Sequence, residues 1–120
     1  MELVRQTAPE TCGQACIAMI TGRGIGGVIR DMKANSPTCI GQLVEILDAY
    51  GVRHAGRDCR ISKKNPVPAP YSILTIHTGG DFPRWVLLHG GKYYDPEFGV
   101  IEGEHPYGRI TSFLGITEED

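Results

Sequence analysis

The chain contains no uninterrupted run of about 18 apolar residues, so it offers no helix that would insert in a membrane. It has no excess of basic residues either. Twelve Lys and Arg stand against 14 Asp and Glu, a formal net charge of −2, and that balance gives no basic face of the kind nucleic acid requires. The first ten residues, MELVRQTAPE, lack the apolar stretch of a signal peptide. The expectation is a cytoplasmic domain, or a domain exported without a signal of its own. No internal repeat and no low-complexity tract is present. The four cysteines, Cys12, Cys16, Cys39 and Cys59, lack the paired C-x-x-C spacing of a zinc site, and the composition is not that of a small disulfide scaffold. Free thiols are the main expectation, with a disulfide or a structural metal as the alternatives. No cofactor and no metal is expected.

What is present suits one domain over residues 1–120: a 41% apolar share and enough length for one core. Sixteen glycines and eight prolines imply a turn-rich chain. A helix is predicted from Thr11 or Cys12 to about Thr21, with Cys12, Cys16, Met19 and Ile20 on one face, Thr11 as N-cap and Gly22 as the stop. "IGGVIRDMKA" reads as a second helix, and "GRGIGG" before it as a helix-to-helix turn. Ile40, Leu43, Val44 and Leu47 recur at helical spacing between Pro37 and Gly51 and mark a third. Beyond Gly51 the pattern changes. "VRHAG" suggests a short strand, and "SKKNPVPAP" (62–70) an extended connector. "YSILTIH", "RWVLL" and "KYYDP" read as a β meander around the loop "TGGDFP" and the turn "HGG". "ITSFLG" forms one more short element before an acidic end. Helices followed by antiparallel strands make an α+β order.

The chemistry concentrates in "RQTAPETCGQACIAMITG". A thiol at a helix N-terminus feels the positive end of the helix dipole, which lowers its pKa and populates the nucleophilic thiolate. Gln6, six positions upstream of Cys12, has an amide that can donate to a developing oxyanion. Gly13 lets a substrate or a backbone come close. The plainer reading makes Cys12 a small apolar residue opening a core helix and Gln6 a surface residue.

Gln-x5-Cys-Gly-x-Ala-x-x-x-Met-Ile-x-Gly resembles the start of the papain-like peptidase C39 family, which includes the bacteriocin-leader peptidase domains of ABC exporters. "IGQLVEILDAYGV" is similar to that family's third helix, and "RWVLLHGGKYYDPEFG" to its pair of strands ending in Asp-Pro-x-x-Gly. The resemblance implies a papain-like fold with N-terminal helices on an antiparallel sheet. It makes Cys12 the nucleophile, Gln6 the oxyanion-hole residue and Asp95 the acid that orients the catalytic His. The position of that His reads Arg84, and Thr11 stands where the family often has Asp. Arginine stays protonated and cannot take a proton from a thiol, although its charge favours a thiolate.

Among the four histidines, His54, His89 and His105 read as surface or turn residues. His77 is the candidate replacement base: a six-residue hairpin loop would set it opposite Arg84, in a row with Asp95 across one sheet face. Cys16 should be a buried apolar thiol, and Cys39 and Cys59 core or half-buried. Trp85 should face packing, away from Arg84, with Tyr93 and Tyr94 alternating in and out. Three functional readings remain open: a thiol hydrolase acting on a peptide or amide bond through Cys12, a catalytically degenerate module binding a peptide or protein partner, and an effector or toxin domain with other chemistry.

Overall fold

Helical periodicity gives way to strand alternation after Gly51, and the architecture follows that switch. The computed structural model describes residues 1–8, 10–33, 37–77, 83–103 and 109–117. Three helices come first: α1 (Cys12–Thr21), α2 (Ile25–Met32) and α3 (Ile40–Ala49). Six strands follow: β1 (Cys59–Arg60), β2 (Ser72–His77), β3 (Arg84–His89), β4 (Lys92–Asp95), β5 (Gly99–Glu102) and β6 (Arg109–Gly115). The fold is α+β. The strands form one antiparallel sheet in the order β1-β6-β2-β3-β4-β5. β2 to β5 run as a meander, and β6 returns to pair with the other side of β2.

Every residue of α1 from Cys12 to Met19 is buried, so this helix is wrapped rather than merely seated on one face. It packs on β3 and against α2 and α3. Its C-terminus stops at Gly22, whose φ of 71° is the left-handed conformation glycine adopts without strain. Strand alternation divides the sheet's apolar residues into two sets. Ile73, Trp85, Leu87 and Leu114 join the cluster with the helices. Leu74, Ile76, Val86 and Phe113 form a second cluster with Ile61, Ala69 and Ile110 packed against it. With both faces covered, β2 is buried from Ser72 to Ile76. Tyr94 packs with the helix-side cluster and Tyr93 with the other, as their alternation requires.

Three expectations about the chain need correction. "VRHAG" forms no strand; His54 makes one isolated bridge to Ile116. The 62–70 connector is not extended throughout, because Ser62 N–H bonds Asn65 O at 3.1 Å and closes a turn. Cys39 is exposed, because it occupies the N-cap of α3, outside the core. Strands β1 and β5 were not foreseen. They are edge strands of two and four residues, too short to show a pattern of their own. The acidic end from residue 118 lies outside the described residues.

Candidate functional site

Cys12 opens α1 at the seam with β3, and the Trp85 backbone N–H donates to its Sγ at 3.4 Å. The residue is 6% exposed. Burial pushes the thiol pKa up, and the Trp85 N–H, the Arg84 charge and the Gly13 N–H only partly offset it. The lowered pKa expected at a helix start is therefore reversed. Stripping water from a thiolate costs more here than the surrounding partial charges return. One turn on, Cys16 is fully buried and its pKa is raised well above the ordinary thiol range by the same cause. All four cysteines are free.

The preceding loop is organised by Thr11, which is fully buried. Its Oγ1 accepts the N–H groups of Thr7 (2.9 Å) and Ala8 (3.1 Å). Thr11 therefore ties the loop to the helix mouth instead of capping forward into α1, where it makes no side-chain cap bond. Gln6 is half-buried. Its N–H bonds Pro96 O at 3.1 Å, and its Oε1 is buried with no partner among the described residues. Gln6 thus lies beside the β4 end, and the 1–8 segment is pinned there a second time by Arg5 Nη1 donating to Glu97 O at 2.9 Å.

Arg84 and Asp95 come together, but not as directly opposed residues: Leu87 pairs with Tyr94, which sets Asp95 level with Val86, and Arg84 reaches it diagonally. Arg84 Nη2 donates to Asp95 Oδ1 at 2.9 Å, with the arginine side chain 12% exposed and the aspartate 0%. The same Oδ1 accepts the backbone N–H groups of Glu97 (2.8 Å) and Phe98 (3.1 Å), so one carboxylate closes the Asp95–Phe98 turn and holds the guanidinium. Arg84 Nη1 meets Glu97 Oε2 at 2.8 Å, and the guanidinium carbon lies 5.1 Å from the Phe98 ring centroid. Glu97 and Phe98 escaped the sequence reading. Their signal was the Asp-Pro-x-x-Gly turn itself, which returns those two residues over the start of β3.

The His77 row does not form. The sheet pairs Ile76 with Arg84, one residue away from the register that the row requires, and His77 pairs with Arg109 instead. A one-residue slip reverses the face, so His77 shares its side with Thr75 and Trp85 rather than with Arg84. His89 packs edge-on against Tyr71, with ring centroids 4.7 Å apart. His54 is not a surface residue, because its side chain is 11% exposed and bonded to Asp48. His105 lies outside the described residues.

The space beside Gly13 is filled by the protein. A Cβ there would overlap Thr38 Oγ1 and come within 2.9 Å of Trp85 Cδ1. Trp85 is buried and its Nε1 donates to Thr38 O at 3.1 Å, so the Cys12–Gly13 step, Trp85 and the Thr38 loop form one packed unit. On the far side of Trp85 opens a groove of about 910 Å³ between the start of α3 and the sheet. Thr75, His77 and Ser112 line it, with Arg60 and Arg109 at its outer part. No protein-family model matches this chain, and no curated protein matches it. No single described helix is long and apolar enough to cross a membrane.

Proposed function

We propose that this chain is a papain-like domain of the C39 type that holds an extended peptide at Cys12 but lacks the proton acceptor needed to cleave it. The observation that carries this reading is the clamp on Arg84, 2.9 Å from Asp95 and 2.8 Å from Glu97. A hydrolase of this kind needs a group between acid and sulfur that takes the thiol proton and returns it to the departing amine. Arg84 holds Asp95 and its charge is felt at Cys12, but a guanidinium can do neither. The raised thiol pKa agrees, since Cys12 stays neutral where a nucleophile would ionise. His54 bonds Asp48 and the Ala55 carbonyl, His77 pairs with Arg109 in the sheet and His89 packs on Tyr71, while the sulfur's hydrogen-bond donor is the Trp85 N–H. Gln6 Oε1, buried with no partner among the described residues, can accept a peptide N–H.

One observation favours the hydrolase reading: the sulfur receives an N–H from Trp85 and feels the Arg84 charge, and both stabilise a thiolate. The two readings separate on a single substitution. Wild type is expected to leave a randomised decapeptide library uncut, as read by mass spectrometry. Arg84→His is expected to cut it at least about 10²-fold faster, the ordinary contribution of a positioned base. Adding Cys12→Ala should abolish the gain. Wild-type cleavage that depends on Cys12 would make the chain a hydrolase. A folded Arg84→His variant that stays inert would remove residue 84 from the base position.

A further inference from the structure

The register of the sheet lays a straight row across four strands, from Trp85 on β3 to Arg60 on β1. Trp85, whose N–H meets Cys12 Sγ, is opposite Thr75; Thr75 is opposite Ser112; Ser112 is opposite Arg60. Directly opposed residues share a face. All four line the groove beneath the start of α3. Arg109 lines the same groove three residues before Ser112 on β6, past the irregularity at Thr75/Ile76 and opposite His77. Arg60 and Arg109 make no ion pair with any described residue, unlike Arg84, so their charge is uncommitted. Among the described residues Asp58 is the one carboxylate lining the groove, so two guanidiniums face a single acid there.

We infer that this groove selects peptides carrying an acidic side chain about three to five residues from the carbonyl held at Cys12, with Arg60 and Arg109 receiving it. The inference rests on the peptide-holding reading above and adds its specificity. The spacing comes from the sheet. Strands lie about 4.8 Å apart, so three steps from β3 to β1 span about 14 Å, and an extended peptide rises about 3.3 Å per residue. Four residues cover the path, and the reach of an arginine side chain widens the window by about one residue each way.

The test uses peptides that declare their own register at the sulfur. One set of alanine-rich hexapeptides ends in a C-terminal chloromethyl ketone and a second begins with an N-terminal chloroacetyl group, so both chain directions are sampled. Each peptide carries a single Glu at a different distance from the reactive end, with a Gln twin. Alkylation of Cys12 is followed by intact mass, with Cys12→Ser as the blank. The expected result is a Glu-over-Gln rate advantage of about fivefold, the upper range for a partly exposed ion pair. It should fall at three to five residues in one of the two sets. Arg60→Gln with Arg109→Gln should bring the Glu-to-Gln rate ratio to about one at every position, in a variant that keeps the wild-type melting temperature. Equal Glu and Gln rates at every position would overturn the acidic selectivity and leave peptide holding intact. No Cys12-dependent alkylation by any peptide, at a pH where free chloroacetamide alkylates the same thiol, would overturn both.

Discussion

Gly13 follows the thiol in the chain, and its missing side chain is what lets α1 approach β3. A methyl group there would overlap Thr38 Oγ1 and sit 2.9 Å from Trp85 Cδ1 and 3.1 Å from Leu43 Cδ2. Those three side-chain groups come from a loop, a strand and a helix, and a methyl there makes all three shift at once within a packed seam. Gly13→Ala is expected to cost about 1–3 kcal/mol, the ordinary penalty of overpacking, read as a lower urea midpoint. A wild-type midpoint would mean that the Thr38 loop gives way freely. At residue 84 the argument is electrostatic. The guanidinium answers a fully buried Asp95 carboxylate, so the pair holds the β3 start against the Asp95–Phe98 turn. A buried charge is tolerated only when its partner stays in place.

At the scale of elements, α3 is fastened to the sheet through His54. Its Nε2 lies 2.7 Å from Asp48 Oδ1 near the end of α3, and its Nδ1 lies 2.7 Å from Ala55 O. Both partners accept, so both bonds are made only by the doubly protonated ring. Burial lowers the pKa of His54, but the Asp48 carboxylate and the Ala55 carbonyl raise it further, and the net direction is upward. A folded pKa above the unfolded value means stability that is fully present below about 6.5 and lost as pH rises through the higher folded value. The melting-temperature gap between wild type and His54→Ala should therefore be widest near about pH 5.5 and should narrow above neutrality. A gap that stays constant with pH would show that the ring acts by packing alone.

For the whole molecule, the decisive step is the return of β6 to the middle of the sheet. It pairs β2 on one side and β1 on the other, so the last described strand closes the core that the first helix opens. Leu114 on β6 is fully buried in the helix-side cluster, whereas Val100 on edge strand β5 is 47% exposed. Leu114→Ala is expected to cost about 2–5 kcal/mol in chemical denaturation. Val100→Ala should stay within about 0.5 kcal/mol. Similar losses at the two positions would mean that β6 is not a core strand.

Three helices, three of the strands and the α+β order were legible in the sequence by itself, because helical and strand periodicities are properties of neighbouring residues. The Arg84–Asp95 ion pair was legible through the resemblance, but its register was not, since Asp95 lies level with Val86 rather than opposite Arg84. The tertiary structure alone decided the rest. The pairing of Ile76 with Arg84 moved His77 to the other face, and a single residue of register is invisible to a pattern of period two. Burial decided the thiol, since the local dipole at a helix start points one way and loss of water across the whole seam points the other. The two-residue β1 carries no periodicity, and only its contact with a distant β6 makes it a strand. The groove row from Trp85 to Arg60 joins residues 25 positions apart through four strands, and no local rule brings them into line.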